Sequence, residues 1–117
     1  MALNLALVST ITAKTNALLN PTTFATALIA APTAEQIIKI NSLYVANTSA
    51  GTLTADVYVL NTSATWYIVQ SLSIATAVTT IVITKEAPIY LLGTTDSLFA
   101  KGSASGLTFT VSYELLS

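Results

Sequence analysis

The stretch that decides the fold lies close to the C-terminus, where residues 107–115 read LTFTVSYEL. Leucine, phenylalanine, valine and tyrosine alternate here with threonine, serine and glutamate, so apolar and polar side chains fall on opposite sides of an extended chain. This period of two indicates a strand with one buried face and one solvated face. Residues 53–60 (LTADVYVL) repeat the pattern and predict a second strand of the same kind.

The remainder of the chain also favours strands. Threonine, valine and isoleucine are abundant, and these β-branched side chains suit a pleated sheet. Residues 37–46 and 78–84 predict further strands, as do residues 66–73, in which Trp66 is expected to point into the core. About seven or eight strands from residue 37 onward predict an all-β fold, an antiparallel β-sandwich of the jelly-roll or a similar Greek-key type.

Polar turn residues separate these predicted strands. Asn47 and Asn61 each begin the sequence Asn-Thr-Ser-Ala. Asparagine and serine side chains bond neighbouring backbone amides, so both asparagines are expected to be turn residues. Both also begin Asn-x-Ser glycosylation sequons, but with no secretory signal recognisable we expect them to be unmodified.

Residues 1–33 differ from the sandwich domain predicted for residues 34–117. They hold a single charge, Lys14, and two extended stretches are expected near residues 3–12 and 22–31. One interpretation is that these stretches complete the sandwich. The other is an extended N-terminal arm that adds a strand to a neighbouring subunit, because strand addition relies on main-chain hydrogen bonds.

The composition predicts association. Of the 117 residues 53% are hydrophobic and only 8% are charged. A domain this small has too much surface for its volume to hide that much apolar material alone, which predicts burial against other copies or a larger assembly. Four lysines and no arginine form no basic stripe, so nucleic-acid binding is not expected. No apolar run approaches the roughly 20 residues of a membrane span, and no secretory signal is recognisable.

The same composition removes most catalytic side chains. Without histidine or cysteine, Ser-His-Asp and Cys-His arrangements and the common zinc sites cannot form. We interpret the five acids as solvated or turn-forming carboxylates, since no two form a spaced motif; they are Glu35, Asp56, Glu86, Asp96 and Glu114. We therefore predict no enzyme activity, no catalytic residues, no cofactor and no metal.

The candidate functional residues are those expected to make subunit contacts. Tyr58, Tyr67 and Tyr44 are expected on outer strand faces, and tyrosine is enriched at interfaces. A sugar-stacking platform built from the same tyrosines is the alternative. The predicted interface set is Leu3, Leu5, Leu7, Phe24, Tyr44, Tyr58 and Tyr67.

Two stretches together resemble the small β-sandwich virion proteins of tailed bacteriophages, including cyanophages. Residues 39–48 (KINSLYVANT) lead from a strand into a polar turn, and residues 88–98 (PIYLLGTTDSL) followed by 105–114 close the domain. The resemblance is a pattern of strands and turns over roughly the C-terminal two thirds. The Gly-Asp usual before the penultimate strand is here Gly-Thr-Thr-Asp at residues 93–96.

The resemblance implies a structural role in a virion assembled in the host cytoplasm. The leading hypothesis is a capsid decoration or cement protein, a homo-oligomer with a trimer favoured, in contact with the major capsid protein. A tail, neck or baseplate subunit that contacts tail proteins is the alternative within that class. A carbohydrate- or receptor-binding β-sandwich module is the alternative from another class.

Overall fold

The computed structural model describes residues 10–62 and 64–117. Leu3, Leu5 and Leu7 of the predicted interface lie outside the described residues. Among the residues that the structure describes, no helix is long and apolar enough to cross a membrane. The strands in chain order are β1 (Ile11–Leu19), β2 (Ile37–Asn47), β3 (Leu53–Asn61), β4 (Ala64–Ile74), β5 (Thr79–Ile83), β6 (Ile89–Leu92), β7 (Asp96–Gly102) and β8 (Leu107–Leu116).

The strands form two antiparallel sheets, which confirms the predicted β-sandwich. Sheet A has the order β1-β8-β2-β5, and β6 also pairs with β2; sheet B has the order β4-β3-β7. An isolated antiparallel bridge from Ile29 to Leu98 extends sheet B beyond β7. If the bridge at Ile29 is counted as a strand of sheet B and β6 is left out, the two sheets each have four strands. Their order is β1-β8-β2-β5 in sheet A and β4-β3-β7-bridge in sheet B, which is the order of a jelly roll.

The core lies between the inner faces of the two sheets, and the period of two explains which side chains reach it. The buried residues of β3 and of the first half of β8 are Ala55, Val57, Val59, Leu107, Phe109 and Val111, as the alternation predicts. Further along β8 the alternation weakens. A register shift against β2 falls between Ile40 and Ser42, and beyond it Tyr113 and Leu115 are only half-buried.

Strand β4 corrects one expectation. Trp66 pairs with Val59, whose side chain is buried, but Trp66 is itself 55% exposed, so its predicted burial in the core is wrong. Trp66 is exposed because β4 is an edge strand of the smaller sheet, and because the register of β4 against β3 shifts twice. At one shift Ser71 adopts a φ of 55° and donates its N–H to Asp56 Oδ1 at 2.7 Å. Such bulges bend a strand and interrupt its regular alternation.

The N-terminal segment contributes to both sheets of its own chain. Strand β1 pairs with β8 from Ile11 to Leu19 without a register shift. The expected extended stretch at residues 22–31 is mostly a series of bends, because only Ile29 forms a strand-like bridge. Leu28 and Ile29 are nevertheless buried in the core.

Asn47 anchors the turn after β2. It is 2% exposed, and its Nδ2 donates to the carbonyls of Gly51 and Ile74, each at 2.8 Å. Its Oδ1 accepts from the N–H of Ser49 at 2.9 Å and from the Ser49 hydroxyl at 2.7 Å. The prediction of a turn residue is corrected by one position, because Asn47 is the last residue of β2 and the turn begins after it. Its buried amide ties the β2–β3 turn to the end of β4.

Candidate functional site

An aromatic row crosses the outer face of sheet B. Tyr58 of β3 lies directly opposite Tyr67 of β4 on one side and Phe99 of β7 on the other. Directly opposed residues of antiparallel strands share a face, so the three rings stand side by side. The neighbouring Val57 and Val59 are buried, which places the row on the face turned away from the core.

Phe24 reaches this row because its segment is tied to both ends of β7. The carbonyl of Pro21 accepts from the Gly102 N–H at 2.8 Å. At the other end, the N–H of Leu28 donates to the Leu98 carbonyl, also at 2.8 Å. Phe24 lies between these anchors and is carried onto Tyr58. We name Phe24, Tyr58, Tyr67 and Phe99 together the aromatic patch.

Tyr58 is the centre of the aromatic patch. Its ring centroid is 4.2 Å from that of Phe24 with an interplanar angle of 32°, and 5.5 Å from that of Tyr67 at 83°. The Phe99 centroid is 5.6 Å away at 57°. Separations and tilts of this kind are the favourable ones for aromatic pairs. Tyr67 is 46% exposed, whereas the other three side chains are half-buried.

Burial raises the pKa of the Tyr58 phenol, and the adjacent Tyr67 raises it further. Desolvation disfavours the charged form of a phenol, and a second phenolate beside it acts in the same direction. The hydroxyl at the centre of the aromatic patch therefore stays neutral to a higher pH than an ordinary phenol, and in that form it can donate or accept a hydrogen bond.

One cation borders the aromatic patch. Lys101 Nζ lies 5.2 Å from the centroid of the Phe24 ring, within the range of a cation–π contact. The same atom is 3.9 Å from Asp56 Oδ2. Asp56 lies on the same outer face of β3 as Tyr58, and its side chain is half-buried rather than fully solvated as expected. The charges beside the rings are thus paired with each other.

The large apolar side chains that remain exposed are concentrated on edge strands. Strands β4, β5 and β6 contain no charged residue, and β1 contains only Lys14. Edge strands of monomeric proteins are commonly protected by charges, since an open edge invites pairing with another chain. Seven of the nine exposed large hydrophobic residues that the structure describes lie on these edge strands: Ile11 and Leu19 of β1, Trp66 and Tyr67 of β4, Ile81 of β5, and Tyr90 and Leu92 of β6.

Tyr44 lies apart from the other predicted interface residues. It is 40% exposed on β2, in sheet A, opposite Ile81. It borders an open cleft of about 390 Å³ that Lys85 and Glu86 also line. The structure therefore brings together Phe24, Tyr58 and Tyr67 and leaves Tyr44 on the other sheet.

The carboxylates within strands have structural partners. Glu114 Oε1 accepts from Asn41 Nδ2 at 3.0 Å. Asp96 accepts from the Asn61 side chain and from the Leu92 N–H, which is 3.0 Å from Oδ2. In the part of the chain that the structure describes, no three acidic side chains come together as a metal site. The aromatic patch can bind a partner through ring packing and through hydrogen bonds of its tyrosine hydroxyls.

Sequence reasoning missed Phe99. In β7 the side chains of Leu98 and Ala100 are buried, whereas Phe99 and Lys101 alternate with them on the outer face. This alternation is the signal that would have assigned Phe99 to the same face as Tyr58, once β7 is known to pair with β3.

The chain matches no protein-family profile, and no curated protein matches it.

Proposed function

We propose that this protein is a non-enzymatic structural subunit that works by association, with the aromatic patch as its main contact surface. The observation that carries the proposal is the row Tyr67–Tyr58–Phe99 with Phe24 stacked on it, bordered by the uncharged edge strand β4. Interfaces are enriched in aromatic residues at their centres and depleted in charges there.

The patch is also organised before any partner arrives. Tyr58 is held among three rings, and Phe24 is held by a segment tied to both ends of β7. Ordering a side chain on binding costs about 0.5–1.5 kcal/mol, so rings that are already fixed keep more of their burial energy as affinity. Tyr67, the most exposed of the four, is the side chain with the most surface left to bury.

The specific role that we propose is capsid decoration in a bacteriophage virion, with self-association and contact to the major capsid protein. The support is the resemblance of residues 39–48, 88–98 and 105–114 to small virion sandwiches, together with the low charge of the chain. A tail, neck or baseplate subunit has the same physical requirements and remains the alternative within this class. The number of copies per particle separates the two roles.

Carbohydrate binding is the less favoured use of the same tyrosines. A sugar stacks on an open ring face, but the ring of Tyr58 is surrounded by Phe24, Tyr67 and Phe99. The nearest charged groups, Asp56 and Lys101, are engaged with each other. Alanine substitution of Tyr58 and Tyr67 should abolish glycan binding if this alternative is right.

The test compares Tyr67→Ala with Tyr90→Ala. Both remove an exposed tyrosine, 46% and 40% exposed respectively, but Tyr90 lies on β6 in the other sheet. Sedimentation velocity over a dilution series gives the association constant of each variant. Truncating a central interface tyrosine costs about 2 kcal/mol, so we expect Tyr67→Ala to weaken association about thirtyfold and Tyr90→Ala to change it little.

Trp66 supplies a second readout, because it is the only tryptophan and lies on β4 beside Tyr67. Its emission should shift to shorter wavelength as association covers this edge, and the shift should be lost in Tyr67→Ala. Equal association constants for the two variants would show that the aromatic patch is not the contact surface.

A further inference from the structure

Strand β1 presents a long, regular and open edge. Its nine residues pair with β8 without a register shift, and among the described residues no strand pairs with its other side. Every residue of β1 except Leu18 is exposed. It carries neither a bulge nor a proline, and Lys14 is its single charge. The usual devices that prevent a second chain from adding to such an edge are therefore nearly absent.

The hydrogen bonds to β8 determine which backbone groups face outward. Thr10 exchanges both of its backbone hydrogen bonds with Ser117, and the N–H of Asn20 donates to the Leu107 carbonyl. In an antiparallel pair, every second residue directs its backbone N–H and C=O toward the neighbouring strand. The even-numbered residues of β1 therefore bond to β8. The residues that direct N–H and C=O groups to the open side are Ile11, Ala13, Thr15, Ala17 and Leu19.

The side chains of these outward-bonding residues make the edge complementary to itself. Ile11 and Leu19 are 62% and 74% exposed, the two highest values among the large hydrophobic residues that the structure describes as exposed. They lie at opposite ends of β1, so antiparallel pairing with a second copy places each against the other. Thr15 then pairs with the same residue of the copy, and Ala13 pairs with Ala17.

The charge on Lys14 selects this register over its neighbours. Hydrogen bonding requires odd-numbered residues to face odd-numbered residues, so the register can change only in steps of two. With Thr15 on the two-fold axis, Lys14 faces Asn16 of the copy. Shifting the register by two residues in one direction places Lys14 directly opposite Lys14 of the other copy, and like charges in that position are destabilising. Shifting the register by two residues in the other direction moves Ile11 beyond the end of β1 of the other copy, so Ile11 loses its opposing strand residue.

We propose that two copies of this chain join through β1 in antiparallel pairing centred on Thr15, so that sheet A continues across a two-fold axis. The contact lies on sheet A, whereas the aromatic patch lies on sheet B. The proposal is therefore independent of the function argued above, and each can fail without the other.

Cross-linking tests both the contact and its register, since the native chain has no cysteine. Opposed residues in a hydrogen-bonded antiparallel pair have Cα atoms about 5.5 Å apart, within reach of a disulfide. We expect Thr15→Cys to give a covalent dimer on mild oxidation. Ala13→Cys alone is the matched control, because its two copies would lie four residues out of register, about 13 Å apart. A mixture of Ala13→Cys with Ala17→Cys should cross-link.

A second pair of variants avoids oxidation. Thr15→Pro removes an outward N–H and leaves the ladder to β8 intact, and proline is tolerated at such edge positions. Thr15→Ala keeps the N–H and serves as the control. In sedimentation velocity we expect Thr15→Pro to weaken the dimer about tenfold or more, with Thr15→Ala close to the native protein. Far-UV circular dichroism establishes that both variants are folded.

Tyr67→Ala in the Thr15→Cys background separates the two proposals, and we expect its cross-linking to be unchanged. Equal cross-linking of Thr15→Cys and Ala13→Cys, or a native protein that stays monomeric throughout the dilution series, would overturn β1 pairing. Loss of the Thr15→Cys cross-link on Tyr67→Ala would overturn its independence from the aromatic patch.

Discussion

Replacement of Asn47 by alanine should be among the most damaging polar-to-alanine changes in this chain. The side chain is 2% exposed and makes four hydrogen bonds, to Gly51, Ile74 and twice to Ser49. Three of them lie near the surface, where water can replace the lost partner. The bond to the Ile74 carbonyl is buried, and that oxygen would lose its amide partner in the interior.

The expected loss in the free energy of unfolding is the sum of the contributions from these two kinds of bond. The three bonds near the surface contribute about 0.5 kcal/mol each, at the low end for a replaceable hydrogen bond, and the buried unsatisfied carbonyl costs about 1–3 kcal/mol. We therefore expect Asn47→Ala to lower the free energy of unfolding by about 3 kcal/mol, a large part of the 5–15 kcal/mol typical of a domain. Asn47→Asp should cost more at neutral pH, because it turns a carboxylate oxygen toward two carbonyls.

The assay is urea unfolding followed by far-UV circular dichroism, with the midpoint and slope fitted separately. Asn61→Ala is the control, because Asn61 begins the same Asn-Thr-Ser-Ala sequence but bonds the side chains of Thr95 and Asp96, with one bond exposed and the other partly buried, and not a buried backbone carbonyl. We expect that variant to lose about 1.5 kcal/mol, the low end for a hydrogen bond to a charged group, because Asp96 keeps the Leu92 N–H as a donor. Equal losses for the two asparagines, or a loss below about 1 kcal/mol for Asn47→Ala, would refute the assignment of Asn47 as the anchor of this turn.

Three further predictions address single residues. Burial and Tyr67 raise the pKa of Tyr58, so its stabilising contribution is complete below about pH 10 and is lost as the pH rises above that value; in a phenolate absorbance titration, Tyr67→Phe should lower the pKa of Tyr58. Gly106→Ala should cost about 2 kcal/mol in urea unfolding, since φ is 134° and the new Cβ would lie 2.6 Å from Ser49 Cβ; an unchanged midpoint would contradict this geometry. Thr62→Gly should raise the melting temperature by about 4 °C, because Thr62 is β-branched at a φ of 50°, and no rise would mean that this strain is absent.

Local pattern predicted the faces of the regular strands well. In β3 and the first half of β8 every buried position carries an apolar side chain and the buried positions alternate, because a strand sends successive side chains to opposite sides. The same rule failed for Trp66, whose environment depends on β4 being an edge strand with two bulges. Edge position is a property of the whole sheet and leaves no mark in residues 64–74 themselves.

The composition of the aromatic patch depended on pairings distant in sequence. The outer position of Tyr58 and Tyr67 follows from alternation, but Phe99 joins them only because β7 pairs with β3. Phe24 joins because hydrogen bonds to both ends of β7 hold its segment over that face. Tyr44 has an equally exposed position on β2, and the assignment of β2 to sheet A is what separates it from the others.

Residue patterns alone predict the all-β class of fold, the polar turns that follow Asn47 and Asn61, and a scarcity of charge that favours association. These features are local or compositional, since a period of two and an absence of histidine and cysteine need no knowledge of distant contacts. Contacts between distant parts of the chain determine which strands are edges and which rings meet on sheet B. They also make residues 11–19 a strand of this chain's own sheet A. The physical reason is that the alternation of a strand specifies two faces but not the neighbours, and neighbours are chosen by packing the whole chain around one core.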